Sequence, residues 1–95
     1  MKAIVTDDDV LDGDPRLDGT RIGVIHIYRR YETGESPEEI AASYDDVSVA
    51  DVHTALAYAF DNPGTLRAIE ARNRETTERI REDRPVDPEE FLERV

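Results

Sequence analysis

SPEEIAASYDDVSVADVHTALAYAF, residues Ser36 to Phe60, decides the fold. Ser36 is a good N-cap, Pro37 suits the first helical position, and Glu39 stands three residues on, where its side chain reaches back to the cap amide. The helix opened this way is short. Ile40, Ala41 and Tyr44 share one face before Asp45 and Asp46 interrupt the apolar rhythm with residues that favour turns. Ser48 with Asp51 repeats the capping pattern. Val49, Val52, Leu56 and Phe60, filled in by Ala55 and Ala59, then recur at helical spacing, and the spacing predicts that they are buried. Two capped amphipathic helices across a three-residue turn fit a helix-turn-helix, and on geometry alone they fit an ordinary antiparallel helix pair equally well.

Working outward toward the N-terminus, Val24 to Tyr31 reads as a helix with Val24, Ile27, Tyr28 and Tyr31 on one side, ended by Gly34. His26, alone beside apolar neighbours, reads as a packing residue rather than a ligand. Gly13, Pro15 and Gly19 punctuate Val10 to Val24, which predicts a turn or hairpin. Asp12, Asp14 and Asp18 invite a calcium loop, but Arg16 holds the third ligand position and Gly23 the twelfth, so that reading fails. KAIVT, residues 2 to 6, reads as a short strand, and Asp7, Asp8 and Asp9 after it as solvated surface.

Toward the C-terminus, Asn62, Pro63 and Gly64 break the chain. From Thr65 to Asp83 arginines and glutamates interleave three or four apart, which supports a solvated helix. Its apolar stripe is thin. With only Leu66, Ile69 and Ile80, plus Ala68 and Ala71, available for burial, its distal half is expected to leave the globular body. Pro85 and Pro88 frame a turn, Asp87 can cap a last short helix, and Val86, Phe91, Leu92 and Val95 form a terminal apolar cluster. That cluster either folds back on its own core or docks in a groove on another protein. The expected fold class is mostly α: a small helix-turn-helix-like helical domain over residues 1–62, with a short N-terminal β-strand or hairpin. A long, partly protruding C-terminal helix and tail follow over residues 63–95, the expected partner-binding region.

Ninety-five residues make one small domain, too small for a deep substrate cavity plus its scaffold. Without cysteine there is neither a disulfide framework nor a thiolate metal site. No apolar run approaches a bilayer span and MKAIVTDDD lacks the apolar core of a signal peptide, so a cytoplasmic protein with no membrane association is expected. Twenty-three acidic against twelve basic residues give a net charge of −11, and Lys2 is the sole lysine. Acid excess with almost no lysine resembles halophilic surface chemistry, in which carboxylates keep a protein hydrated in concentrated salt.

The charge is unevenly placed. Residues 1–35 hold five basic and eight acidic side chains, residues 36–62 none and six, and residues 63–95 seven and nine. A recognition helix normally meets phosphates and base edges through Arg, Lys, Asn or Gln. The second helix offers His53, Thr54 and Tyr58 beside Asp51 and no cation. Arg16, Arg21, Arg29 and Arg30 are the candidates for a basic edge on the N-terminal half, a weak electrostatic footprint among so many carboxylates.

GDPRLDGTRIGV (Gly13 to Val24) followed by TGESPEEIAASYDDVSVADVHTALAYA (Thr33 to Ala59) resembles the family catalogued as domain of unknown function 433. The shared pattern is a glycine and proline, a Gly-Thr-Arg-Ile-x-Val segment, Gly-x-Ser-x-Glu-Glu-Ile, a tyrosine, and a Val-x-x-Ala-Leu-x-Tyr-Ala helix. Its positions here are Gly19, Thr20 and Arg21, then Ser36, Glu38, Glu39 and Ile40, then Val52, Ala55, Leu56, Tyr58 and Ala59. The likeness covers residues 4 to 62, about two thirds of the chain, and the ordered pair of motifs is more specific than either alone. It implies a small helix-turn-helix-like domain with a short β element, acting as the antitoxin half of a type II toxin-antitoxin pair whose companion is a PIN-like ribonuclease. Most of these positions read as caps, turn or core; Arg21 is expected to pair with a carboxylate, in its own chain or in a partner.

Three functions follow for testing. The first is a dimeric, non-catalytic antitoxin that masks the ribonuclease through its C-terminal region, with Leu66, Ile69, Arg72, Ile80, Phe91, Leu92 and Val95 as partner-binding candidates. The second is a DNA-binding regulator, acting alone or on its own operon, which would use Arg16, Arg21, Arg29 and Arg30 with His53, Thr54 and Tyr58 at the groove. An enzyme has least support: two histidines with no matched nucleophile, no phosphate-binding loop and no metal-ligand spacing assign no catalytic residue, metal or cofactor.

Overall fold

The computed structural model describes residues 1–83, with side chains as far as Thr76. In chain order the elements are β1 (Ile4–Val5), a tight turn at Leu11–Gly13, β2 (Arg16–Leu17), α1 (Val24–Glu32), α2 (Pro37–Ala42), α3 (Val49–Asp61) and α4 (Pro63–Asp83). The fold is mostly helical, with one two-stranded antiparallel sheet at its N-terminal end. Ile4 stands opposite Leu17 and Val5 opposite Arg16. The expected strand therefore forms over its middle residues, and the punctuated stretch after it supplies the partner.

Between the strands the backbone enters the left-handed region for three residues running, with φ of 52°, 55° and 83° at Leu11, Asp12 and Gly13. Only the last is a glycine, and a non-glycine residue there costs roughly 1–2 kcal/mol. Two bonds hold the turn: Gly13 N–H donates to the Val10 carbonyl at 3.1 Å and Asp14 N–H to that of Leu11 at 3.0 Å.

Both predicted capping boxes form. Glu39 N–H donates to Ser36 Oγ and Ser36 N–H to Glu39 Oε1, each at 3.2 Å. Asp51 N–H donates to Ser48 Oγ at 3.1 Å and Ser48 N–H to Asp51 Oδ2 at 3.0 Å. The connection between α2 and α3 is longer than three residues, running from Ser43 to Ser48. Ser43 and Tyr44 N–H groups close onto the carbonyls of Ile40 and Ala41 and stop α2 early. Val47 then turns inward, 8% exposed, so the loop carries a core residue of its own.

α3 is the hub, packed by α1, α2, α4 and both strands. Its Val52, Ala55, Leu56 and Ala59 are buried with Leu17, Val24, Ile27 and Ile40. Val49 and Phe60 depart from expectation: they are 36% and 57% exposed. At 100° per residue they stand just beyond Leu56, at the rim of the arc that α1, α2 and the hairpin cover.

The break after α3 is narrower than the sequence suggests. Asn62 alone is non-helical, and Pro63 occupies the first helical position of α4, where its missing N–H costs nothing. The Asn62 carbonyl accepts from the N–H groups of Thr65 and Leu66. Leu66 and Ile69 are buried, whereas Arg74, Glu75 and Thr76 are exposed. Twenty-one residues of α4 extend about 31 Å, so this helix leaves the body after its first turns. The side chain of Ile80, and Phe91, Leu92 and Val95, lie outside the described residues.

Candidate functional site

Successive residues on a helix turn by about 100°, which sets Val49, Ala50, His53, Ala57 and Phe60 on one arc of α3 that adjoins the buried arc at Leu56 and turns away from it. All five are exposed. Asp61 closes the arc at the last position, and no Lys or Arg occurs between Ser36 and Asn62. At the C-terminal end of this face Phe60 meets Tyr28 and Tyr31 of α1 edge-on, with ring centroids 6.2 and 6.0 Å apart. Tyr31 is itself 40% exposed. A groove of about 150 Å³ lies beside the cluster, lined by Phe60, Pro63, Leu66, Arg67 and Glu70 among others.

The N-terminal end of α3 is fixed by an ion pair. The buried Asp51 carboxylate, already in the capping box, also accepts from Lys2 N–H at 2.6 Å and Lys2 Nζ at 3.3 Å. Lys2 Nζ donates in addition to the Asp46 carbonyl. These donors, the Ser48 and Lys2 backbone groups foremost, hold the Asp51 carboxyl well below the usual carboxylate range against the effect of burial.

A second cleft, of about 190 Å³, lies between the left-handed turn and α4, lined by Leu11, Asp12, Asp14, His26 and Arg72. Arg72 grips Asp14 with both terminal nitrogens, at 3.0 and 2.5 Å. Gly23 N–H donates to His26 Nδ1 at 3.0 Å, so His26 caps α1 rather than packing in the core. Burial and the neighbouring Arg29 lower its pKa, opposed by Asp14. Among the described residues no three His, Asp or Glu side chains converge to hold a metal ion.

The arginines proposed as a basic edge do different things. Arg16 bonds the Thr20 carbonyl at 3.0 Å, and its Nε is buried without a partner. Arg30 forms a two-bond ion pair with Glu35 at 2.8 and 2.7 Å and lies 5.5 Å from the Tyr44 ring centre. Arg29 is exposed. Arg21 is also exposed, and among the described residues it makes no ion pair, so the expected internal carboxylate partner is not found. His53 is exposed, Thr54 bonds the Ala50 carbonyl at 3.0 Å, and Tyr58 packs partly against the core. Of the partner-binding candidates, Leu66 and Ile69 are buried in the chain's own core and Arg72 is held by Asp14.

A family model described as "Protein of unknown function (DUF433)" matches residues 4–59, more than half of the chain. The chain belongs to this family. Searches of curated proteins and of solved structures find no match.

The DUF433 segment begins at β1 and ends within α3, leaving α4 outside it. Its sequence pattern is largely a description of this fold. In the Gly-Thr-Arg-Ile segment, Thr20 Oγ1 donates to the Leu17 carbonyl at 2.8 Å and accepts from Ile22 N–H at 3.0 Å, which builds the β2 turn. Ser36 and Glu39 cap α2, and Ile40, Val52, Ala55, Leu56 and Ala59 are core. Arg21 and Glu38 are the exposed charged positions of the pattern whose side chains make neither an ion pair nor a capping bond among the described residues.

The aromatic cluster and the Lys2–Asp51 tie are absent from the site residues expected from sequence. A helical wheel carries a signal for the first, since apolar residues run more than halfway round α3. For the second the signal is slight: one lysine in the whole chain, 49 residues from its carboxylate.

Proposed function

We propose that this chain is a non-catalytic, cytoplasmic interaction protein, the antitoxin-like half of a pair, which binds and masks a PIN-like ribonuclease. The observation that carries this reading is the exposed face of α3. Where a recognition helix would present cations to phosphate, this one presents Val49, Ala50, His53, Ala57 and Phe60. Such a face suits a protein surface better than a nucleic acid, whose affinity rests on basic side chains meeting phosphates.

The acidic ends of α3, at Asp45, Asp46 and Asp61, support it too. Occlusion is then the mechanism, with an acidic partner covering the basic path along which a ribonuclease takes its RNA. The DNA-regulator alternative draws no support from the disposition of Arg16 and Arg30, which are engaged internally.

The test is co-expression of the tagged chain with the product of its neighbouring gene, kept in concentrated salt throughout, followed by mass identification of what co-elutes. Recovery of a small PIN-like nuclease at fixed stoichiometry, with its RNA cleavage suppressed in the complex, is the expected outcome. A soluble neighbour that elutes separately and cleaves RNA undiminished in the presence of this chain refutes the proposal.

A further inference from the structure

We infer that the outer face of α3 is a docking ridge, which inserts into an apolar groove with a cationic rim on the partner protein. This rests on the masking function proposed above and assigns that function a surface. The ridge is formed by Val49, Ala50, His53, Ala57 and Phe60, extended sideways by Tyr31 of α1 against Phe60. A helix that ends its folding in water turns charge outward. Here the outward arc is apolar or small along nearly its whole length, and its largest member, Phe60, is 57% exposed.

Charge decides what covers it. Asp45 and Asp46 are exposed just before the first turn of α3 and Asp61 is exposed in its last, so the ridge is acidic at both ends. Lys2 is engaged with Asp51, Arg16 with the Thr20 carbonyl and Arg30 with Glu35; Arg29 is exposed on α1, two residues and so about 160° round that helix from Tyr31. Arg67 and Glu70, one residue of each sign, line the groove beside Phe60 without an ion pair between them.

Nucleic acid would meet carboxylates at either end and no cation between them. A second copy of this chain would bring the same acidic ends. Geometry also disfavours it, because α3 is about 20 Å long and two convex helices crossing there bury far less than the roughly 800 Å² per partner of a standard interface. A grooved surface instead wraps a helix on both flanks, which is a general way for an apolar helical face to bind. Lysines or arginines along its rim would meet Asp45, Asp46 and Asp61 and speed encounter.

The test is calorimetric titration of the purified neighbouring gene product, as the probe, into the full chain at about 1 M salt, where exposed charges beyond roughly 3 Å are screened, and again at lower salt. Ala57→Glu and His53→Glu place a carboxylate on the ridge at exposed positions; their melting temperatures should match the parent. Each is expected to weaken binding at least about tenfold. Asp61→Lys is expected to weaken it less, with a loss that grows as salt is lowered. If the parent binds and both ridge variants bind within about twofold of it, well inside the scatter of neutral interface positions, the ridge is overturned while the masking function stands. If removing the residues after Arg84 abolishes binding that Ala57→Glu leaves intact, the tail is the docking element and the ridge is again overturned. If the probe binds no form of the chain, both proposals fall. Should light scattering show a dimer that Ala57→Glu dissociates with probe binding unchanged, the ridge belongs to a second copy, contrary to the inference.

Discussion

Asp51 serves two elements with one carboxylate. It closes the first turn of α3 through Ser48, and it receives both the backbone and side-chain nitrogens of Lys2, which fastens the N-terminal strand to the hub helix. Its side chain is only 3% exposed, so these donors are what keep it ionised. Replacing it by Asn puts an amide donor against other donors and strands the Lys2 ammonium. Asp51→Asn is therefore expected to lower stability at neutral pH by about 2–4 kcal/mol, read from urea unfolding. The folded pKa lies below the unfolded value of 3.8, so the contribution is complete above that value and is lost as pH falls from it toward the folded pKa. The variant should lack this part of the acid limb. His26 behaves with the same sign in a higher window. Its neutral Nδ1 accepts from the buried Gly23 N–H, and burial with Arg29 lowers its pKa from 6.5, so α1 is fully capped above that pH and loses the cap as pH falls through the folded value. An NMR titration should place the His26 midpoint below 6.5, and Arg29→Ala should move it upward. Spacing alone showed the local half of the Asp51 role, since Ser48 and Asp51 lie three apart. The other half is a contact between positions 2 and 51, which no local period records.

At the scale of elements, the helices were legible because each carries its own start signal. Ser36 with Glu39 and Ser48 with Asp51 form the boxes their spacing implies. Burial on α3 was less legible. Val49 and Phe60 share the helical period with Val52 and Leu56, yet a period states only that residues lie within reach of one side; when apolar residues cover more than half of a helix, the neighbouring elements choose which arc is buried. Here α1, α2 and the hairpin chose the arc of Val52, Ala55, Leu56 and Ala59. On α4, Leu66 and Ile69 read both as part of the thin stripe available for burial and as partner-binding candidates; they are buried and seat α4 on its own body. Truncations should separate these classes. Leu66→Ala is expected to cost about 2–4 kcal/mol, whereas Phe60→Ala, mostly solvent-facing, should cost less than about 1 kcal/mol, both read from urea midpoints. Amide exchange along α4 should follow the burial. Protection is expected near Leu66 and Ile69, declining beyond Asn73, where Arg74, Glu75 and Thr76 are exposed. Arg72→Ala should steepen that decline while changing global stability little, because its ion pair with Asp14 is 43% exposed on the arginine side.

For the whole molecule the governing quantity is a net charge of −11 on 95 residues. Self-repulsion of this size opposes the compact state, since unfolding lets the carboxylates move apart. The ion pairs among the described residues do not relieve it. Lys2–Asp51, Arg30–Glu35 and Arg72–Asp14 each neutralise one carboxylate locally, and residues 36–62 have no cation of their own. Repulsion between exposed charges acts over the Debye length, about 10 Å at 0.1 M salt and about 3 Å at 1 M. Raising salt through that range should silence most of it while leaving the Lys2–Asp51 pair, screened by its burial, in place. A gain of even 1–2 kcal/mol corresponds to a rise in melting temperature of roughly 4–15 °C for a domain of this size. The expected calorimetric result is a steep rise in melting temperature between 0.1 and about 1 M potassium chloride that flattens beyond. Strengthened apolar burial by excluded salts would look different, rising steadily with concentration and more strongly in sulfate than in chloride at equal ionic strength. Charge substitution offers an independent check. Replacing Glu38, Asp45 and Asp61, all exposed and without an ion pair among the described residues, by their amides should raise the melting temperature in low salt and leave it nearly unchanged in high salt. A low-salt melting temperature that does not move in that triple variant would mean that repulsion among these carboxylates does not limit stability, and that the acid excess serves solubility and encounter with a cationic partner instead.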